Sequence, residues 1–323
     1  VARSLKLAFV FPWPREKTVV SHPEQFCSGG CWSLIHALRL LGHQVSPVNM
    51  YDDNNEVNDP KAAEQLRHLP ELTELDAVLV FDTGRAKINW HSVSGREDLP
   101  IIYHAGDDPM RHDANTDAIA SGHFDAVLCA QRPFVEKYAM MEGIQGAEWM
   151  PYHHDGLLHF PEPLIKDEHQ VVHSGKVYGL REPMLEAFIV AGLRVHCTSQ
   201  WGHAYRASLC SATVGWHQAW CAEVGYRHFE WPAMGKLLIC DGLEEEYGLN
   251  ELYPDGTIVT YSGASDEDKI GDATSKILHY ANPANKAERD AIAARGRDHS
   301  LLHHGPLARA KQLVDFTIRN FGS

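Results

Sequence analysis

The chain is short of positive charge, of long apolar stretches and of patterned cysteine. Lysine and arginine number 29 against 43 acidic residues, for a formal net charge of −14. That balance disfavours indiscriminate binding to nucleic acid or anionic membrane, which rests on clustered cations. No apolar run approaches the roughly 18–20 residues that cross a bilayer. The opening Val1-Ala2-Arg3-Ser4-Leu5-Lys6 lacks the layout of a signal peptide. A soluble cytoplasmic protein with no membrane span is therefore expected. The seven cysteines (27, 31, 129, 197, 210, 221 and 240) are odd in number and scattered through apolar stretches. Free thiols in a reducing compartment explain them better than a disulfide framework. GxGxxG, GxxxxGK[ST], paired CxxC and HExxH are all missing. Their absence speaks against a nicotinamide dehydrogenase, a P-loop enzyme and a zinc site. Histidine is abundant, at 21, yet Cys27 with Cys31, His153-His154-Asp155 and His303-His304 show no metal-ligand spacing.

What is present is a regular alternation of strand and helix patterns over 323 residues, enough for two domains. Leu5 to Phe11 reads as a strand. A loop with Gly29-Gly30 leads into a helix from Cys31, whose Leu34, Ile35, Leu38 and Leu41 fall at helical spacing before Gly42. Strands follow at 43–49, 76–81, 101–104, 125–129 and 147–150, with helices around 60–68 and 132–142. The second half repeats the plan: strands at 171–173, 193–197, 213–216, 236–240 and 257–261, a helix at 183–191, and a helical tail including 284–294 and 306–321. Such alternation predicts α/β architecture with parallel, doubly wound sheets. Two series imply two facing Rossmann-like domains with a cleft between them. The boundary is expected where Phe160-Pro161-Glu162-Pro163 and a charged patch interrupt the pattern.

In open parallel sheets, ligands bind beyond the carboxyl ends of the strands. Four groups should gather there. Gly29 and Gly30 precede the first helix, where small residues allow close approach of an anionic group; an ordinary turn explains them equally well. Ser174-Gly175-Lys176, with Arg181 opening the next helix, makes a diphosphate clamp or a pair of exposed cations. Gly225-Tyr226-Arg227 and Glu230 form the third group. The spacing of Arg227 and Glu230 puts both on one helix face, and a carboxylate beside a strand end can accept ribose hydroxyls. An intrahelical ion pair accounts for the same spacing, but not for the flanking glycine and the apolar Phe229-Trp231-Pro232. The fourth group is His104 with Asp107-Asp108-Pro109, where either aspartate is a candidate general base and His104 a candidate sugar contact. Aspartates before proline also start turns.

With these residues in place, the chain resembles the CgeB-like (spore maturation protein) glycosyltransferases, which have the GT-B fold. The resemblance runs through Asp107-Asp108-Pro109, Phe124-Asp125-Ala126-Val127 with Phe134-Val135, and Trp149-Met150-Pro151 with Asp155. It continues in Ser174-Gly175 with Arg181, Arg227-His228-Phe229-Glu230 with Gly235, and His303-His304-Gly305-Pro306 with Arg309. It implies an acceptor-side domain over 1–158, a donor domain over 159–302, and a C-terminal helix at 303–323 that packs back on the first domain. It further implies that Glu230 holds the ribose of a nucleotide sugar. Arg227 and Tyr226 would lie near the sugar-phosphate, and Lys176 with Arg181 would neutralise the diphosphate leaving group. No metal or other cofactor is expected. Glu223 and Glu230 are seven apart where related retaining enzymes space two glutamates by eight, so no sugar-binding role passes to Glu223. The His303-His304-Gly305-Pro306 element lacks the family's usual Thr-Tyr pair.

The reading is an enzyme that moves a sugar from a nucleotide donor to an acceptor hydroxyl on a small molecule, a glycan, a protein or a modified DNA base. Two alternatives stand beside it. One is a phage-type transferase acting on a hydroxymethylated base, with Arg85, Lys87, Arg96, Arg111 and Arg132 as candidates for a basic patch. The other is a non-catalytic nucleotide-binding module of the same fold. A metal-dependent hydrolase is a distant third.

Overall fold

The computed structural model describes residues 3–12, 30–50, 59–70, 72–82, 84, 88–162, 164–200 and 202–322. The chain divides into two compact units, Val1–Tyr152 with Pro306–Ser323, and His153–Gly305.

The first unit begins with β1 (Lys6–Phe11), α1 (Cys31–Leu40), β2 (Gln44–Asn49), α2 (Asp59–Arg67) and β3 (Ala77–Asp82). It continues through α3 (Trp90–Ser94), β4 (Ile101–Ala105), α4 (His112–Gly122), β5 (Ala126–Cys129), α5 (Val135–Ala139) and β6 (Gly146–Trp149). Its six strands are all parallel and lie in the order β2-β1-β3-β4-β5-β6. The strand period of two sorts β1 onto both faces. Leu7, Phe9 and Phe11 pack with Leu34, Ile35 and Leu38 of α1, while Ala8 and Val10 face the opposite core with Val78, Val80 and Trp90. Burial on both faces explains why these strands read as unbroken apolar runs. Pro47 sits opposite Phe9 in β2, and β2 is an edge strand, where a missing ladder donor does least harm. The helix expected over 132–142 is shorter: a 3₁₀ turn at Arg132–Phe134 leads into α5.

The second unit runs β7 (His169–Ser174), α6 (Arg181–Val190), β8 (Val195–Thr198), α7 (Gly202–Cys210), β9 (Ala212–His217), α8 (Arg227–Ala233), β10 (Leu238–Asp241), α9 (Leu249–Leu252), β11 (Val259–Tyr261), α10 (Asp266–Ala281) and α11 (Lys286–His303). The parallel order is β11-β10-β9-β7-β8. β7, first in sequence, thus has its successor β8 on one side and β9 on the other. The chain reverses its winding between β7 and β9, and a ligand crevice belongs at their carboxyl ends.

Helix α8 is held close against this sheet. Residues His228 through Ala233 are all buried, and α11 packs along the helix. Gly215 of β9 makes room for it, because a Cβ there would lie 2.3 Å from the Trp231 ring. Helix α10 starts from a capping box, in which Ser265 and Asp268 satisfy each other's backbone donors.

The last helix, α12 (Pro306–Phe321), belongs to the first unit. Its Ala310, Leu313 and Phe316 join the core that holds α1. Arg309 Nε donates to the carbonyl of Pro151 at 2.7 Å, and Gln312 Nε2 to that of Trp149 at 2.6 Å. These bonds tie residues 149–152 to unit one, whereas His154 lies against Ser300 and Gly305 in unit two. The structural divisions accordingly fall after Tyr152 and Gly305 rather than after 158 and 302.

Candidate functional site

Glu230 is the centre of a buried polar cluster at the carboxyl end of β7. Its Oε2 accepts a 2.6 Å hydrogen bond from Tyr205 Oη of α7 and a second bond from Arg227 Nη1, one helical turn earlier on α8. Arg227 Nη2 reaches across to Ser174 Oγ, the last residue of β7, at 3.1 Å, and the guanidinium lies over the Tyr205 ring. The other carboxylate oxygen, Oε1, lies 3.6 Å from His159 Nε2. A tight turn presents this histidine: Leu158 and His159 N–H donate to the Asp155 carbonyl, Leu157 N–H to its side chain, and Asp155 N–H to His159 Nδ1. Nδ1 is therefore an acceptor and Nε2 carries the proton. Burial lowers the His159 pKa, so the imidazole is neutral. Burial alone would raise the Glu230 pKa. The Arg227 charge, His159 and the hydrogen bonds from Tyr205 and Arg227 outweigh it, and the carboxyl titrates below its ordinary range. Glu230 is thus an ionised, buried carboxylate with one oxygen doubly bonded and the other lightly engaged.

The expected clamp residues separate. Lys176 is exposed, after Gly175 turns the chain with φ +110°. Arg181, at the start of α6, is buried. Its Nε and Nη2 donate to the Gln218 carbonyl at 3.0 and 2.8 Å, and its Nη1 to that of Lys176 at 3.1 Å. The guanidinium ties the β7–α6 loop to the end of β9. Three of its N–H groups thus serve backbone carbonyls. Gly225 accepts from His228 N–H at 3.1 Å, and Tyr226 caps α8 through its carbonyl, which accepts from Glu230 N–H at 3.0 Å. Around them burial holds His173 and His228 down to pKa values of about 4, and both are neutral near pH 7.

In the first unit the fourth group splits as well. His104 on β4 is buried and stacked on Phe81 with ring centroids 3.9 Å apart; burial takes its pKa down to about 3. Asp107, at φ +57°, keeps partial exposure, and its carboxylate accepts from Tyr152 Oη at 3.1 Å. Asp108 is fully buried. Its oxygens each lie 3.0 Å from Tyr138 Oη, and Asn115 Nδ2 donates to it at 3.2 Å. Gly30, at φ +75°, opens α1 and accepts from Leu34 N–H. Gly29 and Cys27 lie outside the described residues.

Tyr205, His159, Asn115 and Tyr138 were not singled out by sequence. Tyr205 and His159 reach Glu230, and Asn115 and Tyr138 reach Asp108, through folds of the chain that no local pattern announces. Among the described residues, no group of three or more His, Cys, Asp or Glu is arranged to hold a metal ion. Of the candidate basic patch, Arg85 and Lys87 lie outside the described residues. Arg96 is tied to Asp98 and to the carbonyls of Leu72 and Leu75. No described helix is long and apolar enough to cross a membrane.

Residues 180–315, which include Arg181, Arg227 and Glu230, match the family described as glycosyl transferase-like. No curated protein matches the chain. Among solved structures, the chain is similar to the catalytic domain of starch synthase IV from Arabidopsis thaliana bound to ADP and acarbose, at TM-score 0.63 and 10% identity, covering 99% of this chain and 100% of that one. It is similar to sucrose-phosphate synthase from Thermosynechococcus elongatus, at TM-score 0.60 and 12% identity, covering 98% of each chain. A putative UDP-N-acetylglucosamine 2-epimerase from Listeria monocytogenes aligns at TM-score 0.53 and 13% identity over 99% of this chain and 97% of that one. The fold is that of the GT-B glycosyltransferases, two Rossmann-like parallel-sheet domains. The epimerase shows that the fold alone does not name the reaction.

Proposed function

We propose that this protein is a nucleotide-sugar-dependent glycosyltransferase, and within that class a relative of the CgeB-like enzymes. The observation that carries the reading is Glu230. It is an ionised carboxylate at the switch point of the second unit, with Oε2 fixed by Tyr205 and Arg227 and with Oε1 left to a 3.6 Å contact. It also lies inside the stretch that matches the glycosyl transferase-like family. In our assignment Oε1 accepts the ribose hydroxyls, and Arg227, already turned toward Ser174, lies beside the sugar-phosphate. Lys176, the exposed cation of the β7–α6 loop, neutralises the diphosphate as it leaves. Fixed cations can supply that stabilisation, and we assign no divalent metal and no other cofactor to the reaction. The acceptor is a hydroxyl.

A panel of nucleotide sugars in a thermal-shift assay tests this reading. A ligand that binds only the folded state raises the melting temperature by mass action. The proposal expects one nucleotide class to stand out in the wild type and to lose its effect in Glu230→Gln. A panel in which no nucleotide sugar or diphosphate shifts the transition sinks it.

A further inference from the structure

The loop from β9 to α8 in the second unit is held in a conformation its residues do not favour. Cys221 and Ala222 stand side by side with φ of +56° and +60°, and Glu223 N–H donates to the Trp220 carbonyl at 3.4 Å. Two positive φ angles inside such a bond make a type I′ turn, whose central places go to glycine, asparagine or aspartate. A Cβ in this region crowds the following carbonyl, so Cys221 and Ala222 are both strained. Strain of this kind persists only where the surroundings over-determine it. Three contacts do so here. Ala219 N–H donates to Asp241 Oδ1, at the end of β10, at 2.9 Å. Arg181 holds the Gln218 carbonyl. Trp220 itself is seated on the β7–α6 loop: its ring meets that of Tyr178 edge-on with centroids 4.2 Å apart, and a Cβ at Gly179 would fall 2.6 Å from Trp220 Cζ3. Gly175 and Gly179, with φ of +110° and +59°, bracket this seat, and between them Lys176 and Val177 are exposed. The cation assigned to the diphosphate is thus two residues from the ring that props Trp220.

We propose that the turn at Trp220–Glu223 is a strained switch that couples nucleotide binding to the shape of the β9–α8 loop. The inference rests on the nucleotide reading of the Glu230 site above. Without ligand, Tyr178 and Gly179 prop Trp220 and keep Cys221 and Ala222 left-handed. A diphosphate that draws Lys176 toward itself shifts Val177 and Tyr178 about the two flanking glycines, which absorb the change in φ and ψ. Trp220 then loses its seat, and the turn relaxes to negative φ. The strain is present in the free state and absent from the bound one, so its release favours binding. Residues 223–226 join the turn to α8, and the relaxation is felt where Arg227 begins that helix.

The test sets stability against affinity. Melting temperatures and calorimetric titrations with UDP, GDP, ADP and dTDP are compared for wild type, Ala222→Gly, Cys221→Asn and Ala222→Val. Glycine and asparagine tolerate positive φ, so Ala222→Gly and Cys221→Asn should melt higher than wild type. With less strain to release, both should bind the same nucleotide more weakly, by about 5-fold. A β-branched valine adds strain at this φ, so Ala222→Val should melt lower and bind more tightly. Should Ala222→Val fail to fold, the two stabilised variants decide the matter. A turn that only shapes the loop would have affinity rise and fall with melting temperature. That pattern, or equal affinity in every variant, overturns the inference and leaves the nucleotide reading standing. A wild type that binds none of the four diphosphates overturns both.

Discussion

Arg227 and Glu230, one turn apart on α8, act as a single unit: the guanidinium holds Glu230 Oε2 with one nitrogen and Ser174 Oγ with another. An exposed pair at this spacing contributes little. Here the carboxylate is buried, and the guanidinium joins α8 to the end of β7, so removal of either partner leaves buried polar groups without bonds. Tyr205 completes the arrangement on the same oxygen.

Tyr205→Phe should therefore weaken nucleotide binding without abolishing it. A hydrogen bond to a charged group contributes about 1.5–3 kcal/mol, and part of that loss appears as a misplaced Glu230. Calorimetry should show an affinity between those of wild type and Glu230→Gln. Affinity equal to wild type would mean that Tyr205 has no part in presenting the carboxylate.

Lys176 and Arg181 should respond differently. Lys176→Ala removes an exposed cation and should leave the melting temperature unchanged, while it lowers diphosphate affinity and flattens its salt dependence. Arg181→Ala frees the carbonyls of Lys176 and Gln218 and should lower both stability and affinity. Equal melting temperatures for the two variants would contradict the structural tie at Arg181.

Gly215→Ala places a methyl group against the Trp231 ring, 2.3 Å from its nearest atom. Overpacking of this kind costs about 1–3 kcal/mol. Urea unfolding should register that loss, and nucleotide affinity should fall with it because α8 carries Glu230. A variant as stable as wild type would show that α8 is less tightly seated than the structure has it.

Acid should destabilise the fold from below about pH 6.5, the ordinary histidine value. Burial holds His104 at about 3 and His173 and His228 at about 4, so an unfolded chain takes up these protons first. The stability they contribute is complete above pH 6.5 and is lost as pH falls toward their folded values. Glu230, also depressed, adds a loss at still lower pH, as the pH falls through its folded pKa. Calorimetric melting temperatures should decline from pH 7 to pH 4.5, and His104→Phe, which keeps the stack on Phe81, should make the decline shallower. A flat profile would contradict the buried neutral histidines.

Much of this was legible in the sequence for identifiable reasons. The apolar runs of β1, β3 and β4 are buried on both faces, and Arg227 with Glu230 showed its helical spacing. α4 was missed because His112-Asp113-Ala114-Asn115-Thr116-Asp117 is polar and its buried face, Asn115, Ala118, Ile119 and Gly122, carries one large apolar side chain. α7 has the same weakness, yet it delivers Tyr205. Asp107 and Asp108 are identical in type and adjacent, so only the turn after β4 separates the half-exposed one from the buried one. Arg181 reads as a cation at a helix start, and its carbonyl partners are Lys176, five positions before it, and Gln218, 37 positions after it.

The central claim is that Glu230 grips a nucleotide, and calorimetric titration of wild type and Glu230→Gln with UDP, GDP, ADP and dTDP tests it most directly. The account predicts that wild type binds at least one of them. Glu230→Gln, melting within a few degrees of wild type, should bind it about 10- to 100-fold more weakly, the equivalent of one charge-assisted hydrogen bond. Equal affinity of the two proteins, or no binding by either, would contradict it.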